Sequence, residues 1–189
     1  MRVYINGTSS KSPQVTVSTV GPSPAAIRAA GDMPAMLAWS VHAADDDLRK
    51  KLVPTTAHAM TELRDTFMDV LTKRSKQMST FMVAVTLIEG LNDGPEQATA
   101  LIELLQPLVD SGIKGLVVDL IPYNDIGQDG LKRTGKDRVT MFQRQLRDAG
   151  EKSAADPSSQ QVFDEDGLLS KITQTRSPFA AIPEPLGPW

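Results

Sequence analysis

Two rhythms of apolar residues alternate along this chain. Short runs rich in β-branched and aliphatic residues stand at 14–21 ("QVTVSTVG"), 33–42 ("MPAMLAWSVH"), 79–90 ("STFMVAVTLIEG") and 115–124 ("GLVVDLIPYN"). Each is bounded by glycine, proline or asparagine, which predicts strands. Between them the apolar spacing changes to three and four. In "AMTELRDTFMDVL", Met60, Leu63, Phe67, Val70 and Leu71 fall on one helical face. In "NDGPEQATALIELLQPLVDSG", Leu101, Leu104, Leu105 and Leu108 do the same, with Asp93 as the expected N-cap, Pro95 in the first turn and Pro107 expected to kink or shorten the helix. "SPAAIRAAG" at 23–31 predicts a short helix, and "KDRVTMFQRQLRDAG" a longer one that turns Val139, Phe142 and Leu146 inward and stops at Gly150.

The predicted order is β-α-β-α-α-β-α-β-α. Near-continuous apolar strands alternating with amphipathic helices predict an α/β fold with about four parallel strands and outer helices. Right-handed crossovers bring the carboxyl ends of such strands to one edge, where ligands bind in parallel α/β folds. Residues 1–13 read as an irregular lead, 14–150 as the folded body, and 151–189 as a polar, weakly ordered tail. Five of the 13 prolines lie in that last segment.

Composition narrows the chemistry. The chain has 189 residues, a formal net charge of -3, two histidines and no cysteine. Disulfides, thiolate metal sites and a cysteine nucleophile are excluded, and a zinc site would need carboxylates. The balance of charge is unlike that of a globally basic nucleic-acid binder. No apolar run reaches the ~20 residues that span a bilayer, and the opening "MRVYINGTSSKSPQ" has no apolar secretory core.

The expected functional edge carries Ser18, Thr19 and Gly21 from the first strand, and Ser40 and His42 from the second. The third contributes Glu89, Asn92 and Asp93, and the fourth Tyr123, Asn124 and Asp125. Hydroxyls and amides of this kind suit recognition of a ribose or a purine edge. They are also common as turn, cap and structural residues. A His42 pair with Asp119 or Asp125 for acid–base work is a further option that the spacing permits. "ADDDLRKK" places acids before bases in a helical turn or two, as a helix dipole favours. Its Arg49, Lys50 and Lys51 are either a solvated helix end or a phosphate-contacting patch.

Four segments, "VTVSTVG", "LAWSVHAADDDLRKKLVPTT", "VTLIEGLNDGPEQA" and "LIPYND", occur in an order and spacing that resemble the later part of the RlmN/Cfr radical S-adenosylmethionine methyltransferases. The resemblance covers roughly 14–150. It implies a partial (β/α)6 radical-SAM-type barrel. It also implies S-adenosylmethionine as cofactor, contacted by Ser18, Ser40, Val41, His42 and Asn124. The activity it implies is methylation of adenine C2 in ribosomal RNA and transfer RNA, in bacterial cytoplasm or an organelle rather than in secretion. The family also holds a [4Fe–4S] cluster through a CxxxCxxC loop and carries the methyl group on a further cysteine. This sequence has no ligand for the one and no candidate for the other. Ala84 and Asp119 stand where the family usually has Glu and Asn. The resemblance therefore implies a truncated or degenerate form, or alternatively a non-catalytic remnant that binds S-adenosylmethionine or RNA.

Overall fold

The structure is a computed structural model that describes residues 2–6, 14–55, 57–124 and 130–155. One sheet of five strands runs in the order β1 (Arg2–Asn6), β2 (Gln14–Thr19), β3 (Met36–Ser40), β4 (Thr80–Leu87) and β5 (Gly115–Pro122). From β2 to β5 every neighbouring pair is parallel. The helices are α1 (Pro24–Gly31), α2 (Asp46–Leu52), α3 (Met60–Lys73), α4 (Pro95–Asp110) and α5 (Lys136–Ala155). Four parallel strands with intervening helices are thus present as the periodicity predicts.

Two expectations are corrected. The lead segment is not irregular throughout: Arg2–Asn6 pairs antiparallel with β2, from Arg2 opposite Ser18 to Asn6 opposite Gln14. Edge backbone groups of β2 are thereby paired rather than exposed. The last helix does not stop at Gly150 but continues to Ala155. Gly150 costs the helix some propensity without ending it. α4 carries Pro107 in its last turn and runs on to Asp110. The segment after Ala155 lies outside the described residues.

Strand alternation gives the sheet two unlike faces. One carries Val17, Leu37, Trp39, Phe81, Val83, Val85, Leu87, Val118 and Leu120, all buried in one core with residues of α1, α3, α4 and α5. Phe67 of α3 stacks between Trp39 and Phe81, with ring centroids 5.0 and 4.9 Å away. The other face carries Ser18 beside Ala38, and Ser40 beside Ala84, which is in turn beside Asp119. Most of this second face is half-buried, and Met82 on it is 36% exposed.

At the edge where the strands begin, Arg74 holds the chain together through main-chain oxygens. Its Nη2 donates to Met33 O at 2.7 Å and Ala35 O at 2.6 Å, and its Nη1 donates to Met78 O at 3.3 Å. One guanidinium thus ties the entrance of β3 to the turn that leads into β4.

Candidate functional site

The opposite edge gathers the predicted rim residues. On β2, Thr19 Oγ1 accepts a hydrogen bond from Gly21 N at 3.0 Å, which turns the chain sharply after the strand. Gly21 has a φ of +67°, and a Cβ there would stand 3.0 Å from Trp39 Nε1. Only glycine combines that backbone conformation with such close approach. The Trp39 indole uses the space to donate to Val20 O at 3.3 Å.

Ser18 and Ser40 come together. Their Oγ atoms are 3.4 Å apart across β2 and β3, on the half-exposed face. After Ser40 the chain continues alongside β4 for one more bond, Val41 N to Ala84 O at 2.9 Å. The Val41 side chain is fully buried, so what it offers the rim is main chain. His42 then takes a φ of 53°, the left-handed region that non-glycine residues seldom enter. Its Nδ1 lies 3.3 Å from Ser40 O. That contact needs the proton on Nδ1 and leaves Nε2 as the acceptor of the ring. Burial holds the His42 pKa below the usual 6.5; the Ser40 bond opposes this and the nearby Arg49 charge adds to it. The ring is therefore a neutral imidazole at pH 7.

Asn124 stands on the same edge, two residues beyond β5, whose final Pro122 pairs with Leu87 of β4. It is exposed, and its Oδ1 accepts from Arg133 Nη1 at 3.2 Å. β4 lies between it and the Ser18–Ser40 pair. Asp119, the suggested acid–base partner of His42, projects from β5 in the row Ser40–Ala84–Asp119. Two strand spacings put it about 9.6 Å from Ser40 along that row. Asp125 lies outside the described residues.

Two residues matter here in a way the sequence pattern does not reveal. Arg49 was expected on a solvated or phosphate-facing helix end, but it is 1% exposed. Its Nη1 donates to Val41 O at 2.7 Å and Ser40 O at 3.3 Å, and its Nη2 donates to Val20 O. Burial lowers its pKa to about 10, with Asp46 opposing the shift, so it stays charged at neutral pH. Lys50 and Lys51 remain exposed, and they are what is left of the expected basic patch. Asn92 is 2% exposed. Its Nδ2 donates to His42 O at 2.6 Å and Thr86 O at 2.7 Å, and its Oδ1 accepts from Ile88 N at 2.7 Å. Its neighbour Asp93 accepts from Gly90 N at 3.0 Å, while Gly94 is the N-cap of α4. Arginine in a basic run and asparagine in an Asn–Asp–Gly turn both look like surface residues. Only the carbonyls they meet, distant in sequence, explain their burial.

Among the described residues, no three His, Asp or Glu side chains gather in a way that could hold a metal ion. Nor is any described helix long and apolar enough to cross a membrane. The rim instead offers two hydroxyls, a neutral imidazole and turned main chain over an apolar floor, which suits an organic ligand with polar substituents.

No family model matches the chain. Among curated proteins it is similar to the probable dual-specificity RNA methyltransferases RlmN of three bacteria. Identity is 38% over 134 residues to that of a Synechococcus strain, covering 70% of this chain and 37% of the relative. It is 39% over 143 residues to that of Roseiflexus castenholzii, covering 72% and 35%. It is 38% over 136 residues to that of Gloeobacter violaceus, covering 70% and 36%. The chain thus spans little more than a third of the length of these relatives. Among solved structures, a radical SAM methyltransferase from Sphaerobacter thermophilus aligns with a TM-score of 0.61 and 29% identity, over 71% of this chain and 38% of that one. A domain of a pyruvate-formate lyase-activating enzyme from Bacteroides vulgatus aligns with a TM-score of 0.53 at 14% identity, over 71% of this chain and 76% of that domain, and shares the fold. The body of this chain is thus similar in sequence to RlmN-type RNA methyltransferases and in fold to a radical SAM methyltransferase, over little more than a third of their length.

Proposed function

We propose that this chain presents the adenosyl-holding side of an RlmN-type radical S-adenosylmethionine RNA methyltransferase. Ser18, Ser40, the main chain of Val41 and His42 meet the cofactor, and Asn124 joins them from β5 after giving up Arg133. The observation that carries this reading is the meeting of the Ser18 and Ser40 hydroxyls on the half-exposed sheet face. Beside them Ala38 and Ala84 leave room above the strands. The substrate class that the reading implies is RNA, since the relatives are named as dual-specificity RNA methyltransferases, and the family resemblance narrows it to adenines of ribosomal and transfer RNA.

An iron–sulfur cluster does not fit the residues present. Such a cluster is held by cysteine thiolates, and the sequence contains none. A covalent methyl carrier on cysteine is excluded for the same reason. On its own this chain is therefore a binding module for an adenosyl ligand, and the absence of cysteine favours this second reading over catalysis by these residues alone.

The test is a titration of the full chain with S-adenosylmethionine, followed by the ring signals of its two histidines. Binding at the rim moves the His42 signals and leaves those of His58, which is paired with Glu62 on α3, in place. If neither moves at saturating ligand, or if His58 alone moves, the assignment of the rim fails.

A further inference from the structure

The three consecutive carbonyl oxygens of Ser40, Val41 and His42 are all taken by buried side chains. Arg49 donates to the first two, and Asn92 donates to the third. The same two side chains reach outward to neighbouring strands, Arg49 to Val20 O after β2 and Asn92 to Thr86 O on β4. A carbonyl row fixed from behind leaves the other side of the peptide chain turned to the rim. It also holds His42 in the left-handed conformation that it would otherwise leave. Guanidinium suits this task because one rigid planar group serves several acceptors at once, which a lysine ammonium on a flexible stem does not.

The geometry points to Arg49 and Asn92 as positioning residues that build the Ser40–Val41–His42 wall from beneath, touching no ligand themselves. The inference rests on the rim being the adenosyl site, but its structural part can be tested separately. Arg74 supplies the control, since it clamps main-chain oxygens in the same manner at the opposite edge of the sheet.

The experiment compares the full chain with Arg49→Met, Asn92→Ala and Arg74→Met, reading the pH titration of the two histidine ring signals and the calorimetric titration with S-adenosylmethionine. His42→Asn assigns the His42 signal, and His58 is the internal reference. In Asn92→Ala, where no charge is lost, the His42 titration moves up toward 6.5 because a loosened wall lets water reach the ring. Arg49→Met moves it further, through the loosened wall and the lost positive charge together. Both variants weaken the ligand titration by about tenfold or more, by analogy with the loss of groups that support metal ligands. Arg74→Met lowers stability but leaves both readouts unchanged. The inference is overturned if Asn92→Ala leaves the His42 titration unmoved, or if Arg74→Met moves it as far. If the unmodified chain shows no heat with the ligand, the adenosyl reading fails, and the histidine titrations alone decide whether the wall is held as described. Should Arg49→Met not fold, Asn92→Ala carries the same decision.

Discussion

Ser18 and Ser40 are not register partners, yet their hydroxyl oxygens stand 3.4 Å apart. Ser18 pairs with Ala38, one strand step before Ser40. The hydroxyls meet diagonally because nothing larger than a methyl group separates them on that face. The two strand ends thus present a joined polar spot instead of two isolated side chains.

From this follows a separation of stability from binding. A long hydroxyl contact on a half-exposed face contributes little to folding, less than about 1 kcal/mol. Ser40→Ala should therefore shift the urea midpoint only slightly while it weakens the titration with S-adenosylmethionine. Equal losses in both measurements would make the pair structural.

The core behaves differently. Phe67 is fully buried and stacked against both Trp39 and Phe81. Phe67→Ala should cost about 3–5 kcal/mol in urea unfolding, through lost transfer energy and the cavity left between two rings that cannot close together. A cost below about 1 kcal/mol would mean that the aromatic stack does not exist in solution.

Much of this architecture was legible in the sequence, for reasons that particular residues make plain. The strand that buries Phe81, Val83, Val85 and Leu87 could be read because apolar residues crowd one short run, although only the structure shows burial alternating along it. The order of acids before bases in α2 could be read because it lies within one short stretch of sequence, whereas the cap that Asp45 makes on Leu48 N, at 2.8 Å, is seen only in the structure. Ser18, Ser40 and His42 could be placed on one edge because parallel topology forces strand ends together. Arg49 and Asn92 were not legible, since the oxygens they donate to are carbonyls between 6 and 50 residues distant and carbonyls have no sequence signature. The strand Arg2–Asn6 was missed because a lone five-residue segment has no helix beside it to set an alternating order.

Gly21 offers a test of the turn that shapes the rim. Its φ of +67° and its closeness to the Trp39 indole both oppose a side chain. Gly21→Ala should destabilise the chain by about 1–2 kcal/mol and disturb the bond from the indole to Val20 O. The check is the urea midpoint together with the indole N–H signal of Trp39, which should shift. An unchanged midpoint would show that the turn adopts another conformation.

Reconstitution with iron and sulfide under anaerobic conditions should leave this chain without the visible charge-transfer absorption of a thiolate-bound cluster. The reason is compositional, since no cysteine is present to supply a thiolate. Stoichiometric iron retained after desalting would mean that the chain holds iron through ligands other than cysteine.

His42 gives stability a pH dependence whose sign can be worked out. Burial, chiefly, holds its folded-state pKa below the 6.5 of a free histidine. Between those two values the unfolded chain binds a proton that the folded chain refuses, so unfolding is favoured as pH falls. The contribution of the neutral ring is complete above about 6.5 and is lost as pH falls through the folded value. Arg49 faces the ring and strengthens the effect, while the bond to Ser40 O weakens it. His42→Asn is the informative replacement, because asparagine tolerates the left-handed backbone and does not titrate. The urea midpoint of the unmodified chain should therefore fall more steeply between pH 7.5 and 5.5 (roughly the span around the free-histidine pKa) than that of His42→Asn. Carboxylates common to both proteins cancel in the comparison. Parallel slopes would mean that His42 is as exposed to solvent in the folded chain as in the unfolded one, and the wall over the strand ends would then not be closed.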